Sequence, residues 1–344
     1  MQQEASVAWR NLSLLLSARH MSILPSPEWA PHQAVWIGFP SAADLWEDDL
    51  APAQAEVAAF AAAVHADGRG EEIWLVAADQ IAATEARRLA PFARIIVEPF
   101  GDIWLRDTGA IIVGSGVSRR AQGFGFNGWG GKYDLPGDDS IGQRLSTEAG
   151  LTHAKADWIL EGGAIDGDGS GTFITTEQCL LNPNRNPGFD KEEVEARLCR
   201  DLGASRIVWL GDGLLNDHTD GHVDNLARFV APNRVAIPEA TSDDPNAQTY
   251  ADAAEALLDA DLEVVAIPSP GKVERVGEII PASYMNFYIG NATVVVPLYG
   301  SANDGAAVEA VQELFPDRRV VGLRADHILT GGGSFHCISQ QVPS

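Results

Sequence analysis

Positive charge is scarce in this chain: 24 lysines and arginines stand against 48 aspartates and glutamates, a formal net charge of −24 over 344 residues. A nucleic-acid surface needs clustered Lys and Arg to displace counterions, and no such cluster occurs. The negative field also repels anionic membranes and attracts small cations, although solubility alone accounts for it equally well. Cysteine is scarce too. Cys179, Cys199 and Cys337 are the three in the chain, and their spacing fits neither a zinc ribbon nor a CxxC redox pair. An odd number in a chain this long argues against a disulfide framework and for a reducing, cytoplasmic compartment. No apolar run reaches the ~18 residues of a membrane-spanning helix. The run Leu12–Leu16 is too short for a signal peptide, and no small-residue cleavage site follows it. Residues 1–20 therefore read as a flexible extension or an upstream start. No Pro/Ser-rich linker divides the rest, so residues 21–344 are expected to form a single domain.

What is present is a recurring cycle. Helical spacing over 53–67 precedes the apolar run 72–78; helical spacing over 80–90 precedes the strand-like run 94–100. The same order returns at 191–203 with 206–210, at 248–260 with 262–268, and at 304–315 with 318–323. Extra β segments at 171–176, 234–238 and 291–297 surround these cycles. Four or five such cycles define an α/β architecture with buried strands. They also hint at a repeated supersecondary unit.

Five glycine-dense stretches between the cycles carry the unusual side chains: 103–109, 124–134, 159–171, 216–225 and 330–341. Cys337 follows the run GGGSFH, whose free backbone N–H groups are expected to lower a thiol's pKa. Alone, it reads more readily as a small buried hydrophobe, as do Cys179 in a strand-like run and Cys199 in a helix. His222 lies between Asp220 and Asp224, acids that can fix its tautomer and raise its pKa. Strand alternation would put His222 and Asp224 on one face. Asp107 and Glu161 each stand where a strand is expected to end in a glycine-containing loop. Trp104 and Trp129 are large apolar surfaces beside those loops. One thiol, one imidazole and three carboxylates suit a guanidinium, which is planar, cationic and matched to carboxylates in bidentate fashion. A thiolate can then attack its central carbon.

Seven segments in order also resemble a known family: PEWAPHQAVWIGFP (27–40), DIWLRDTGAIIV (102–113), FNGWGGKYD (126–134), LEGGAIDGDGSGT (160–172), LLNPNRNP (180–187), TDGHVDN (219–225) and GGGSFHCISQQVP (331–343). The chain is similar to the agmatine deiminases and the related Porphyromonas-type peptidylarginine deiminases, within the guanidino-group-modifying superfamily. The resemblance implies five ββαβ units in a pseudo-fivefold α/β propeller with a central active site. It implies Cys337 as nucleophile, His222 as general acid/base, Asp107 and Asp224 as guanidinium ligands, and Glu161 as an assisting acid. Trp104, Trp129, Asp220 and Gly332 fall in motifs that contact substrate. No metal or organic cofactor is implied. The expected partner is a small cationic guanidine, not nucleic acid or membrane, and a homo-oligomer is compatible with it.

The chain departs from the agmatine deiminase pattern at GFPSAADLWEDDL (38–50), where a tryptophan–proline pair and an Asn-Trp-Arg element are expected, and at Ala110, Asp220 and Ser339. The first departure touches the end of the pocket that would hold the substrate's tail, so arginine, peptidylarginine and other alkylguanidines stay beside agmatine as candidates. Arg185 and Arg228 are the residues considered for a substrate carboxylate. Three other classes compete: a zinc hydrolase built on His218, His222 and Asp224, an inactive cation-binding relative, and an amidinotransferase.

Overall fold

The computed structural model describes residues 23–344 apart from 242 and 276, so the extension read at 1–20 lies outside the described residues. Helices and strands alternate as expected, in several small sheets. The first sheet holds β1 (His32–Phe39), β2 (Glu72–Ala77) and β3 (Arg94–Val97). The second holds β4 (Ile111–Val113), β5 (Arg120–Gly125) and β6 (Thr152–Ile159); the third, β7 (Ile165–Gly167), β8 (Thr172–Thr176) and β9 (Arg206–Leu210). The fourth holds β10 (Arg228–Ala231), β11 (Arg234–Glu239) and β12 (Glu263–Pro268), followed by a short hairpin of β13 (Glu274–Arg275) and β14 (Glu278–Ile279). The fifth holds β15 (Tyr288–Ile289), β16 (Thr293–Leu298) and β17 (Arg319–Arg324). The C-terminal strand β18 (Ser339–Pro343) returns to pair antiparallel with β1.

The second to fifth sheets each repeat one pattern. An antiparallel pair comes first, then a parallel pair joined by a helical crossover, as in β4–β5 followed by β5–β6. The parallel partner needs such a crossover, because a tight turn cannot reverse the chain twice. β2 reads as continuous apolar sequence and is buried at every position after Glu72, with helices packed on it.

The helices follow from local chemistry. In Lys191–Leu202 the Asp190 carboxylate accepts from the Glu193 N–H, and Glu192 and Glu193 suit the positive N-terminal end. Val194, Leu198 and Leu202 recur every four residues and are fully buried, and the helix stops at Gly203 in the left-handed conformation. Burying each aliphatic side chain contributes roughly 1.5–3 kcal/mol, so this stripe outweighs the cap's ~1 kcal/mol. Cys199, expected to be buried, faces solvent, because it lies off that stripe. The helix Asp138–Glu148 and the strands β5 and β6 are elements that the reading of apolar cycles missed.

The largest apolar cluster joins β1, β2, β16 and one face of the helix Leu50–His65. Phe335, two residues before Cys337, is fully buried there and stacks on Phe60 at 4.8 Å between ring centroids. No described helix is long and apolar enough to cross a membrane.

Candidate active site

Each junction between consecutive sheets delivers a side chain to one buried centre. Asp107 comes from the helical turn Leu105–Thr108, Glu161 from the turn after β6, and His222 and Asp224 from the 3-10 turn before β10. Asn286 ends the 3-10 turn before β15, and Cys337 precedes β18. Sequence reading placed Asp107 after a strand and His222 with Asp224 on one. The first instead sits in a single helical turn and the other two around a 3-10 turn, which still brings them together.

The centre is close-packed. The amide of Asn286 donates to Cys337 Sγ at 2.9 Å, and its carbonyl oxygen accepts from the backbone N–H groups of His336 and Cys337. The Asp224 carboxylate lies 3.4 Å from Cys337 Sγ and 2.8 Å from His336 Nδ1. His336 Nε2 reaches Glu28 at 2.9 Å, and Glu28 also meets Arg106 at 3.1 Å and Arg228 at 3.0 Å. Burial pushes Glu28 up, but Arg228, His336 and Arg106 outweigh it and hold its carboxyl well below the usual range. Asp224 is also lowered: burial opposes ionisation, and His336, His222 and Arg228 overcome it. These contacts thus fix Asp224 as an anion beside the thiol.

Asp107 accepts from the Gly163 N–H at 2.9 Å and from the Trp129 indole at 2.9 Å, and it lies 3.7 Å from His222 Nδ1. Gly163 has to be glycine. A Cβ there would stand 2.6 Å from His222 Nδ1 and 2.9 Å from Asp107 Oδ1. Burial would lower the pKa of His222, but Asp107, the neighbouring Cys179 and Glu161 raise it well above the usual value. Its partner is therefore Asp107, not the acids flanking it in sequence. Three groups of atoms in this buried centre have no hydrogen-bond partner: Asp224 Oδ1, Glu161 Oε2 and both ring nitrogens of His222.

The glycine run's lowering effect on Cys337, through the backbone N–H of Ser334, is present but outweighed. Burial pushes the thiol well above its usual value, and Asp224 and Asp107 add to the rise. At neutral pH the free protein therefore holds a protonated thiol, and a bound cation that neutralises the two acids favours the thiolate. The thiolate absorbance of Cys337, taken as wild type minus Cys337→Ser, is expected to appear only above pH ~8.5, the ordinary thiol value. Half-titration at or below that pH would contradict this electrostatic picture.

A cavity of about 190 Å³ opens onto the centre, with Cys337 and Asp107 in its lining. Trp46, Trp104 and Trp129 supply apolar walls, and Gly332 and Thr330 belong to the same lining. Asp220 does not line it. Arg185 holds Asp220 at 2.5 Å and Lys132 holds it at 2.5 Å, so its charge is consumed. Arg185 also grips Glu161 at 2.7 Å, while Arg228 pairs with Glu28 and with Asp166 at 2.8 Å. Both arginine side chains are fully buried and unavailable to a substrate carboxylate.

His218 Nδ1 sits 3.1 Å from the Tyr133 hydroxyl. Left-handed backbone at Asp220 (φ 62°) and Gly221 (φ 85°) precludes the helix that would align His218 with His222. Among the described residues the trio His218, His222 and Asp224 is not gathered as a metal site. Asn286, His336 and Glu28 are the site residues the sequence reading missed. The repeat itself carried a signal for Asn286, since the junction before the fifth sheet should supply a polar side chain as the others do.

This constellation of a thiol, an imidazole and acids set between repeated sheets is that of a deiminase family. A model of the Porphyromonas-type peptidyl-arginine deiminases matches residues 24–343, and the chain belongs to that family. It is 39% identical to the agmatine deiminase of Stutzerimonas stutzeri over 352 residues, covering 92% of this chain and 94% of that one. Among solved structures, the agmatine deiminase of Enterococcus faecalis superimposes with a TM-score of 0.87 at 33% identity, over 94% of this chain and 96% of that one. A C. jejuni agmatine deiminase with substrate bound gives 0.84 at 27% identity, over 93% and 96%.

Proposed function

We propose that this protein is a cytoplasmic agmatine deiminase, which hydrolyses the guanidinium of agmatine to N-carbamoylputrescine and ammonia in one catalytic domain spanning 21–344. The observation that carries the reading is the unpartnered acceptor on Asp224, whose carboxylate lies 3.4 Å from the Cys337 thiol. Buried carboxylate oxygens without donors are costly, and a guanidinium supplies planar N–H donors and the compensating charge. Family membership and the names of the relatives favour the same chemistry. The five-junction pattern, with β18 closing on β1, favours five ββαβ units arranged as a propeller around the site.

In the proposed reaction the guanidinium sits over Cys337, bound by Asp107 and Asp224. The thiol passes its proton to solvent as the cation offsets the two acids. The Sγ electron pair adds to the guanidinium carbon, and His222 gives a proton to the departing nitrogen. Ammonia leaves as the C–N bond breaks, and an amidino-thioether remains on Cys337. His222, now neutral, takes a proton from water. The resulting hydroxide adds to the carbon, the C–S bond breaks, the hydroxyl proton returns to the Cys337 sulfur and the neutral ureido product leaves. Water, not an amine, is the acceptor, so ammonia release separates this reaction from amidino transfer.

The tail is assigned by what the cavity lacks. No arginine or lysine is in its lining, and Asp102 and Asp107 are. An α-carboxylate would enter this acidic pocket unpaired, whereas agmatine brings a second positive charge. Ammonia release is to be measured on agmatine, arginine, a blocked arginine peptide and guanidinobutyrate. Agmatine is expected to lead arginine in kcat/KM by at least about 100-fold, roughly 2.7 kcal/mol. Equal or better turnover of arginine would overturn the assignment.

A further inference from the structure

Cys179 takes no part in the reaction above, yet it is buried against two groups that do. It lies on the short helical turn Glu177–Leu180, and Thr176 caps that turn by accepting from the Cys179 N–H. Its sulfur, a carboxylate oxygen of Glu161 and a ring nitrogen of His222 all lie within 4.8 Å of one another. All three residues are 0% exposed. Packing with Leu180, Val194 and Leu198 accounts for the burial of the thiol as a small hydrophobe. It does not account for these three donor atoms meeting at one buried point, where Glu161 Oε2 has no hydrogen-bond partner and the imidazole faces only the thiol and, at 3.7 Å, Asp107.

We propose that Glu161, Cys179 and His222 form an inhibitory site for a borderline-soft divalent cation, with zinc as the probe. Thiolate, imidazole and carboxylate are the donors zinc accepts. Bonds of about 2.3 Å to sulfur and about 2.0–2.2 Å to nitrogen and oxygen place tetrahedral ligand atoms roughly 3.5 Å apart, so contraction of about an ångström closes the cluster. A water completes the fourth position. The thiol disfavours magnesium and calcium, which take oxygen ligands. When the metal binds, the Cys179 thiol proton and the proton on the metal-facing nitrogen of His222 both pass to solvent. Arg185 already holds Glu161 Oε1, leaving the other carboxylate oxygen for the ion. A metal-bound His222 nitrogen cannot exchange protons with a leaving group, so the loaded enzyme is inactive. That last step rests on the role of His222 proposed above; the existence of the site does not.

The test uses the small cysteine count. The double variant Cys199→Ser, Cys337→Ala retains Cys179 as its sole thiol. Loaded with zinc, it is expected to show one sulfur neighbour at about 2.3 Å by X-ray absorption. Loaded with cobalt, it is expected to show a thiolate-to-metal charge-transfer band. No sulfur neighbour and no band overturn the site.

In the wild type, zinc is expected to inhibit agmatine turnover with slow onset, because the ligands are buried, and a chelator is expected to reverse it. Cys179→Ser is expected to keep its turnover and to lose zinc sensitivity by more than the roughly 100-fold that loss of an outer-shell partner can cost. Undiminished sensitivity in that variant would place the inhibitory zinc on Cys337 instead and overturn the proposal. Sulfur-bound zinc without inhibition would overturn the inhibitory role and the function given to His222, while the site itself would stand.

Discussion

Cys337→Ala is expected to reduce ammonia release from agmatine by about 10⁴-fold or more, on the scale seen when a covalent nucleophile is removed, while leaving agmatine affinity little changed. The substitution deletes one buried sulfur atom. The turn that carries it is held independently, by the stacking of Phe335 on Phe60 and by the Asn286 carbonyl on two backbone N–H groups. Asp107, Asp224 and Glu161 remain to bind the cation. The thiol contributes no binding charge in the free protein, because burial and the two acids keep it protonated. The loss should therefore fall on kcat, with the substrate's Kd, measured calorimetrically on the inactive variant, close to the wild-type KM. Rapid quenching of the wild-type reaction should show the amidino adduct on the peptide containing Cys337 and on no other. Appreciable turnover by Cys337→Ala, or an adduct on Cys179, would remove Cys337 from the chemistry.

Much of this centre was legible because it is built from short contiguous motifs. Asp107, Glu161, His222, Asp224 and Cys337 each stand in a glycine-dense stretch between apolar runs, and the fold brings all five together. What was not legible depends on residues distant in sequence. The lowered thiol pKa inferred from the glycine run counted local N–H groups. It could not count the burial of Cys337, or Asp224 and Asp107 more than a hundred residues upstream. Asp220 was placed against substrate because it adjoins His222, and Arg185 and Lys132 claim it from other segments.

Asn286 was hidden inside Tyr284–Phe287, which reads as core because Tyr284, Met285 and Phe287 are large, largely apolar and buried. The helix Asp138–Glu148 was missed because Ser140, Gly142, Ser146 and Thr147 are weak helix formers and Ile141 and Leu145 are its only buried large apolar residues. Tertiary contacts specify it instead, among them the Asp138 carboxylate accepting from the backbone N–H groups of Gly101 and Asp102.

Asp224→Asn tests whether electrostatics at the centre work as proposed, because it should move two observables in opposite senses. Asp224 is fully buried and ionised; one carboxylate oxygen accepts from His336 and faces Cys337 Sγ, and the other is free. Asparagine can keep the bond to His336 through its carbonyl, but its NH₂ then meets the donors of the guanidinium. Removing one partner of a buried charge pair costs about 3–5 kcal/mol, so kcat/KM is expected to fall by roughly 10²–10⁴-fold. The thiol should respond in the other direction. Asp224 is one of the two acids that raise the pKa of Cys337, so its neutralisation should bring the thiolate absorbance to lower pH than in the wild type. A variant that is merely misfolded would lose activity without that ordered shift, and a thermal melt would expose it. If kcat/KM were unchanged, Asp224 would not hold the guanidinium. If activity fell while the thiol titrated as before, Asp224 would not govern the nucleophile, and the substrate-driven ionisation of Cys337 would have to rest on Asp107 alone.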